Sequence, residues 1–396
     1  MHEAVIVDVV RTASGRGKPG GALAEVHPVD LLAATISQLL ERTGVDGGDV
    51  DDVMAGCVQQ VADQSWNVAR SALLAAGLPE SVPGVTIDRQ CGSSQQATAF
   101  AAQAVMAGMA DVVIACGVES MSRIPLGTAS MGRDHLGQRM RDRYPEGLVH
   151  QGISAELIAA KWQFSRAQLD DFAALSHERA AEAAASGVFR QEIVPINVPD
   201  AAGQRPHTVD ETVRPQTTRE GLAQLQPSFR TDEYAQRFEQ IEWMITPGNS
   251  SPLTDGASAA LIMSAERARQ WGLRPRARFV SFSVVGDDPM MMLTGPIPAT
   301  ARVLDRAGLT INDMDVFEVN EAFASVPLAW LHETGADAAK LNPRGGAIAL
   351  GHALGSSGTR LLATMVNHLE DTGGRYGLQT MCEGAGMANA TIIERL

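Results

Sequence analysis

The sequence predicts an α/β protein of two homologous halves with an insertion between them, and three observations support this. Short apolar runs alternate with alanine-rich helical stretches along the chain, the pattern of βαβ units. A succession of helix, acidic turn and apolar strand occurs twice, since Asp49-Val50-Asp51-Asp52-Val53-Met54-Ala55-Gly56 has a counterpart in Asn312-Asp313-Met314-Asp315-Val316-Phe317-Glu318-Val319. Between the halves, from about Glu119 to Gly248, the texture changes, with Gly, Arg, Met and Pro dominating Ser122 to Gly147.

Each element follows from its residues. The apolar run Ala4 to Val10 opens the first half as a strand. Leu31 to Thr43 reads as a helix leading into 49–56, and Thr300 to Gly308 stands in the same relation to 312–319. Val85 to Ile87 is strand-like and turns into Cys91-Gly92-Ser93-Ser94, which opens an Ala/Gln-rich helix leading to a strand at Asp111 to Cys116. His352, followed shortly by Ser356-Ser357, opens a helix leading to a strand at Tyr376 to Cys382. Strands joined through helices imply a largely parallel sheet in each half. Inside the insertion, Ser165 to Ser186 reads as an amphipathic helix with Leu169, Phe172, Ala173 and Leu175 on its apolar side. A polar, Pro-containing stretch follows from Val198 to Arg230.

Composition narrows the function. A chain of 396 residues is long enough for two or three units and a large core. The net charge of −14 argues against a nucleic-acid or anionic-membrane partner, which need basic patches. No apolar run reaches the roughly 18 residues of a membrane span. The first strand begins without a basic, signal-like leader, so a cytoplasmic location is expected. Four cysteines (Cys57, Cys91, Cys116, Cys382) are too few for a disulfide framework, and none has the His neighbours or C-x-x-C spacing of a metal site. Cys57 and Cys116 lie in apolar runs and are expected in the core.

Cys91 differs from these two. Placed where a strand turns into a helix, its sulfur is expected at a helix N-terminus, where unpaired N–H groups and the positive dipole end favour the thiolate. A thiolate attacks carbonyl carbon, so acyl-cysteine chemistry is the first expectation. Other polar or reactive side chains sit among small residues that permit close approach: Asn320 in Asn320-Glu321-Ala322-Phe323, His352 in the glycine-rich run Gly345 to Gly355, and Cys382 in Met381-Cys382-Glu383-Gly384-Ala385-Gly386-Met387.

With these, Asn249-Ser250-Ser251-Pro252-Leu253-Thr254-Asp255-Gly256-Ala257 and Gly295-Pro296-Ile297-Pro298-Ala299 make six segments, and on them the chain resembles the thiolase family in order and from end to end. The resemblance implies a thiolase fold, with two halves in a five-layered α/β/α/β/α arrangement and the active site where two central helices meet. It divides the chain into a first half (1–118) with the nucleophile, a loop domain (119–250) for coenzyme A binding and oligomer contacts, and a second half (251–396). It implies thiolytic cleavage of a 3-ketoacyl-CoA, or the reverse Claisen condensation, with coenzyme A as co-substrate, no prosthetic group and no metal. Cys91 becomes the acylated nucleophile, His352 its base, and Cys382 the acid and base at the α-carbon. One oxyanion site falls to His352 and a water held by Asn320, the other to the N–H groups of Cys91 and Gly384. Ser251 matches a position that binds the pantetheine arm, and Arg214 is a candidate for the nucleotide end. The partners implied are acyl-CoA and a second copy of the chain, as homodimer or homotetramer.

Two positions depart from the family pattern. Ala353 replaces a usual Pro, which loosens a turn, and Ala385 replaces a common Gly, which adds a methyl group near the oxyanion site. Gln151 after His150, and Met292-Leu293-Thr294 before Gly295, resemble degradative thiolases, including those of actinobacterial steroid side-chain breakdown, with a short-chain acetoacetyl-CoA thiolase as the runner-up. The segment Asp232 to Met244 is longer than in the small biosynthetic members and is either substrate-related or decorative. Three alternatives compete. A ketoacyl-synthase-type condensing enzyme lacks a counterpart of Cys382. A non-catalytic acyl-CoA or lipid carrier needs no set of Cys91, His352 and Cys382. A Rossmann dehydrogenase needs a Gly-x-Gly-x-x-Gly after the first strand, and none is present.

Overall fold

Strand β1 (Ala4–Thr12) is buried along its whole length because both of its faces are covered. Val5, Val7 and Val10 enter one core while Ala4, Ile6 and Val9 enter another, the two-sided burial that a continuous apolar run requires. The computed structural model to which β1 belongs describes residues 2–200 and 203–396, so residues 201–202 of the polar stretch 198–230 lie outside it. The first half continues through α1 (Pro28–Thr43), β2 (Asp52–Gly56), α2 (Val68–Ala75), β3 (Gly84–Ile87), α3 (Ser93–Met106) and β4 (Val112–Ser120). The insertion carries α4 (Gln151–Lys161) and α5 (Arg166–Ser186), and β5 (Thr254–Ser264) follows it. The second half runs through β6 (Ala277–Gly286), α6 (Pro296–Ala307), β7 (Val316–Val319), α7 (Ser325–Thr334), α8 (Ser357–Thr372), β8 (Tyr376–Glu383) and β9 (Met387–Arg395).

The strands form an 11-stranded sheet whose main path is β7-β8-β9-β6-β1-β5-β4-β2-β3. Read outward from the centre, the two sides repeat one another: β1-β5-β4-β2-β3 on one, β6-β9-β8-β7 on the other, with Leu341 bridging Phe317 in parallel where the last strand of the second half would lie. Within the sheet, the described residues join the two sides through Val5 opposite Arg278 and Ile6 opposite Ala277. Helices α1 and α2 cover the outer face of one side, α6 covers the other, and α3 and α8 pack together between them, giving five layers.

The expectation of a largely parallel sheet is corrected. Among the described residues, the parallel ladders are β2/β3, β2/β4, β7/β8 and a short contact of Ile193–Val194 with β1, besides isolated bridges such as that of Leu341 with Phe317. The long ladders β4/β5, β5/β1, β6/β9 and β8/β9 are antiparallel. In the second half the cause is plain: only residues 384–386 connect β8 to β9, and so short a turn can join only antiparallel strands. Strand β5 pairs with both β4 and β1, so the strand pairing of the first half continues beyond residue 251.

Glycines let the two central helices meet. A Cβ on Gly358 would lie 2.2 Å from the backbone N of Gln95, and one on Gly117 would lie 2.2 Å from the carbonyl O of Gly355. The insertion is anchored to β1 through Arg11, which donates to Glu192 at 2.6 Å and to Asp210 at 2.7 Å in a fully buried cluster. Helix α5 starts at a capping box between Ser165 and Gln168 and ends at Gly187, whose φ of 81° suits a left-handed cap. The segment 232–244 begins with a short helix, Asp232–Arg237, after which Phe238 and Ile241 pack on Val149, Ile153 and Leu157. No helix among the described residues is long and apolar enough to cross a membrane.

Candidate active site

Cys91 lies between β3 and α3, two residues ahead of the helix. Its loop is held by Asp88, whose carboxylate accepts from Gln90 N at 2.7 Å, and by Ser93, whose hydroxyl accepts from Arg89 N at 2.9 Å and donates to Gln90 O at 2.5 Å. Gln90 pays for this turn with a φ of 48°. The sulfur is buried among Val58, Met121, Leu354, Leu361 and Met381. The expectation of a stabilised thiolate is therefore corrected for the resting enzyme: burial pushes the Cys91 thiol well up, and the neighbouring Cys382 and Glu383 push it the same way. Such a thiol needs a base.

His352 is the buried imidazole of the site. Its N–H donates to Thr254 Oγ1 at 2.9 Å, which fixes the loop before α8. Ser357 Oγ donates to Ala353 O at 2.8 Å and lies 2.6 Å from His352 Nδ1. With its proton committed to the carbonyl, the hydroxyl accepts from Nδ1–H, leaving the Nε2 lone pair free. Burial, helped by the Arg360 charge, pushes His352 down to about 3, so the imidazole is neutral and able to accept a proton.

Asn320 follows β7 and points its amide at both other groups. Its Nδ2 is 3.5 Å from His352 Nε2 and 3.7 Å from Cys382 Sγ, while its Oδ1 is buried without a protein partner. Cys382 lies near the end of β8, in the strand expected at Tyr376 to Cys382, opposite Ala388. Burial pushes its thiol up to about 11, against the opposing donation from Asn320. Gly384 lies in the β8–β9 turn, where a Cβ would come 3.0 Å from Gln90 Oε1, which brings this turn against the nucleophile loop. Asn320 thus links the neutral imidazole to the neutral thiol of Cys382.

Over His352 lies a cavity of about 180 Å³ walled by Met121, Leu126, Phe229, Phe323 and Leu354. Ser251 and Gln151 line it. Arg214 and Met292 do not: Arg214 N donates to His177 Nδ1 at 3.2 Å beside α5, and Met292 packs in a core with Leu293, Ala322 and Phe323. Sequence reasoning gave no role to His150, which lines the cavity and caps α4 by accepting from Gly152 N at 3.1 Å, or to Phe229. The signal for His150 was its place just before a helix, while nothing local marks Phe229. Ser357 was noted only as opening a helix, and its spacing of five residues from His352 was the available clue. Among the described residues no group of three or more His, Cys, Asp or Glu side chains could hold a metal ion.

The fold and this site define an acyl-transferring enzyme with paired cysteines. Residues 4–266 match the model of the thiolase N-terminal domain and residues 273–395 that of the thiolase C-terminal domain, so the chain belongs to the thiolase family. The matched boundary falls after β5, where the sheet also places it. The chain is 49% identical over 404 residues to the steroid 3-ketoacyl-CoA thiolase FadA6 of Mycobacterium tuberculosis, covering 100% of this chain and 95% of that protein. It is 44% identical over 402 residues to a 3-ketoacyl-CoA thiolase of Salmonella typhimurium, covering 100% of each. The crystal structure of the Bacillus anthracis acetyl-CoA acetyltransferase matches with a TM-score of 0.88 at 36% identity, covering 100% of this chain and 99% of that one. Thiolases use coenzyme A as a substrate and no prosthetic group.

Proposed function

We propose that the protein cleaves a 3-ketoacyl-CoA by thiolysis, with Cys91 as the acylated nucleophile. His352 Nε2 takes the Cys91 proton, and the sulfur attacks the 3-keto carbon. The bond between C2 and C3 breaks, Cys382 protonates the departing C2, and acetyl-CoA leaves. Coenzyme A then gives its thiol proton to Cys382 and attacks the acyl-cysteine, the shortened acyl-CoA leaves, and His352 returns its proton to the Cys91 sulfur, so both cysteines regain their starting state. The observation that carries this reading is the Asn320 amide, within 3.5 Å of the base and 3.7 Å of the second sulfur, which couples the two proton-transfer centres. Ser251 and Gln151 are proposed to hold the pantetheine end in the cavity, with Cys91 N–H and Gly384 N–H as oxyanion donors. Mass-spectrometric mapping after incubation with acetyl-CoA tests the assignment: the acyl group is expected on Cys91, and its appearance on Cys382 reverses the roles.

The names of the relatives support a degradative reaction on a fatty-acyl or steroid side-chain substrate. The likeness to an acetyl-CoA acetyltransferase favours the short-chain reading. Thiolysis rates across acetoacetyl-CoA, medium-chain, long-chain and steroid 3-ketoacyl-CoA separate them, with kcat/KM expected to rise beyond acetoacetyl-CoA. If acetoacetyl-CoA is the best substrate, the short-chain reading replaces the degradative one. A reducing, cytoplasmic setting suits two thiols that must stay free. A homodimer or homotetramer is supported by exposed Trp66 and by Val85 on edge strand β3.

A further inference from the structure

Glu383 is the last residue of β8, next to Cys382, and no step of the reaction above uses it. Its side chain is fully buried, and both carboxyl oxygens lack a hydrogen-bond partner in the protein. It presses on the nucleophile loop: a Cβ on Gly92 would lie 2.0 Å from Glu383 Oε1. The carboxyl thus occupies the space that a side chain following Cys91 would fill. Asn389 of β9 closes the other side, its Nδ2 donating to Gly92 O at 3.0 Å. The charged and titratable groups that face Glu383 are Asp88, Arg89 and Cys91 of the nucleophile loop and Cys382 of its own strand. Arg89 favours its ionisation, Asp88 opposes it, and among the described residues no cation forms an ion pair with it.

We propose that Glu383 is a positioning residue that supports acylation as a neutral carboxylic acid packed behind Cys91, and that its ionisation withdraws this support by placing a negative charge beside the forming thiolate. Burial pushes Glu383 up to about 8, so the switch falls within an accessible pH range. The sign follows directly. Below that value the group is neutral and the thiolate forms against no added charge. Above it, a carboxylate raises the Cys91 thiol further and repels the attacking sulfur and the oxyanion it creates. Glu119, the other carboxyl acting on Cys91, accepts from Val58 N, Gln59 N, Gln64 Nε2 and Gly355 N, so its charge is already shared among four donors. Glu383 has no such donors.

This inference rests on Cys91 being the nucleophile. The test is the rate of acylation of the full-length enzyme by acetyl-CoA from pH 6.5 to 9.5, measured by rapid quench and peptide mapping, for the parent and for Glu383→Gln. The parent is expected to slow above pH 8, by about tenfold at pH 9.5, the order of effect of a buried neighbouring charge. Glu383→Gln, neutral and of the same shape, is expected to keep its rate through pH 9.5. A role in packing alone would scale the rate equally at every pH. A parent rate that climbs steadily to pH 9.5 overturns the proposal without any variant, and so does an unchanged alkaline fall in Glu383→Gln. Should that variant not fold, Glu383→Val, apolar and similar in volume, takes its place under the same criteria. Acyl groups found elsewhere than on Cys91 would instead refute the site assignment.

Discussion

Ser357→Ala tests how the base is prepared. Ser357 Oγ sits 2.6 Å from His352 Nδ1 and donates its own hydrogen bond to Ala353 O at 2.8 Å, so its removal leaves a buried ring N–H without an acceptor. An unsatisfied buried group costs about 1–3 kcal/mol, and the ring escapes part of that cost by moving its proton to Nε2. In that tautomer Nε2 faces Asn320 as a donor and can no longer take the Cys91 proton. At about 1.4 kcal/mol per tenfold, acylation of Cys91 is expected to slow by roughly 5- to 150-fold. KM for coenzyme A should change little, because Ser357 is buried and does not line the cavity. Single-turnover acylation with acetyl-CoA measures the first effect and steady-state thiolysis the second, while Ser357→Thr, which keeps a hydroxyl, should recover much of the rate. Parent-like acylation in Ser357→Ala would refute the tautomer assignment.

Cys382→Ala is expected to retain acyl transfer to Cys91 from acetyl-CoA but to lose carbon–carbon cleavage by at least the 10²-fold typical of a general acid, and near-parent thiolysis would remove Cys382 from that role. Arg11→Met leaves Glu192 and Asp210 buried without their cation, and should destabilise the protein by about 3–5 kcal/mol near neutral pH, read as a lower urea midpoint. Burial alone would raise Asp210, yet Arg11 holds it below the ordinary carboxylate range, so the parent keeps this stabilisation above that range and loses it as pH falls through the depressed value. The gap between parent and variant should accordingly narrow in acid, and a gap independent of pH would count against the ion-pair account. Ala385→Gly relieves a φ of 66° and is expected to add about 1 kcal/mol of stability by the same assay, with an unchanged or lower midpoint as the contrary result.

The helices around the site were legible because their signals are local. Cys91-Gly92-Ser93-Ser94 after a strand, and Ser356-Ser357 after His352, placed the starts of α3 and α8 within a few residues, and the apolar Leu169, Phe172 and Ala173 marked α5. Strand direction is not a local property. The alternation of β2, α2 and β3 has the same texture as that of α3, β4 and the later β5, yet the first pairs in parallel and the last antiparallel. The return of β5 to the first half, after the whole insertion, depends on contacts that no window of sequence contains. For Cys382 the signal is local: the run from Tyr376 carries the strand to the cysteine, and Gly384 and Gly386 mark the turn that follows.

The largest gap between sequence and site concerns charge. A cysteine just before a helix suggests a thiolate, and the helix does begin two residues later, but the apolar wall of Val58, Met121, Leu354 and Met381 decides the outcome. Burial acts with opposite sign on the two kinds of group, raising both thiols and lowering the imidazole, so each is driven to its neutral form. A neutral resting site has a mechanistic consequence. Proton transfer from Cys91 to His352 creates two charges in a dry pocket, which is unfavourable until a substrate carbonyl accepts the sulfur's electrons and its oxygen finds donors. The same burial that suppresses the thiolate in the empty enzyme strengthens those donors once the oxyanion forms, since a low dielectric magnifies both. Reactivity is thereby tied to occupancy: a buried, protonated Cys91 is protected from small electrophiles in solution, and the substrate that fills the cavity supplies the condition for its activation.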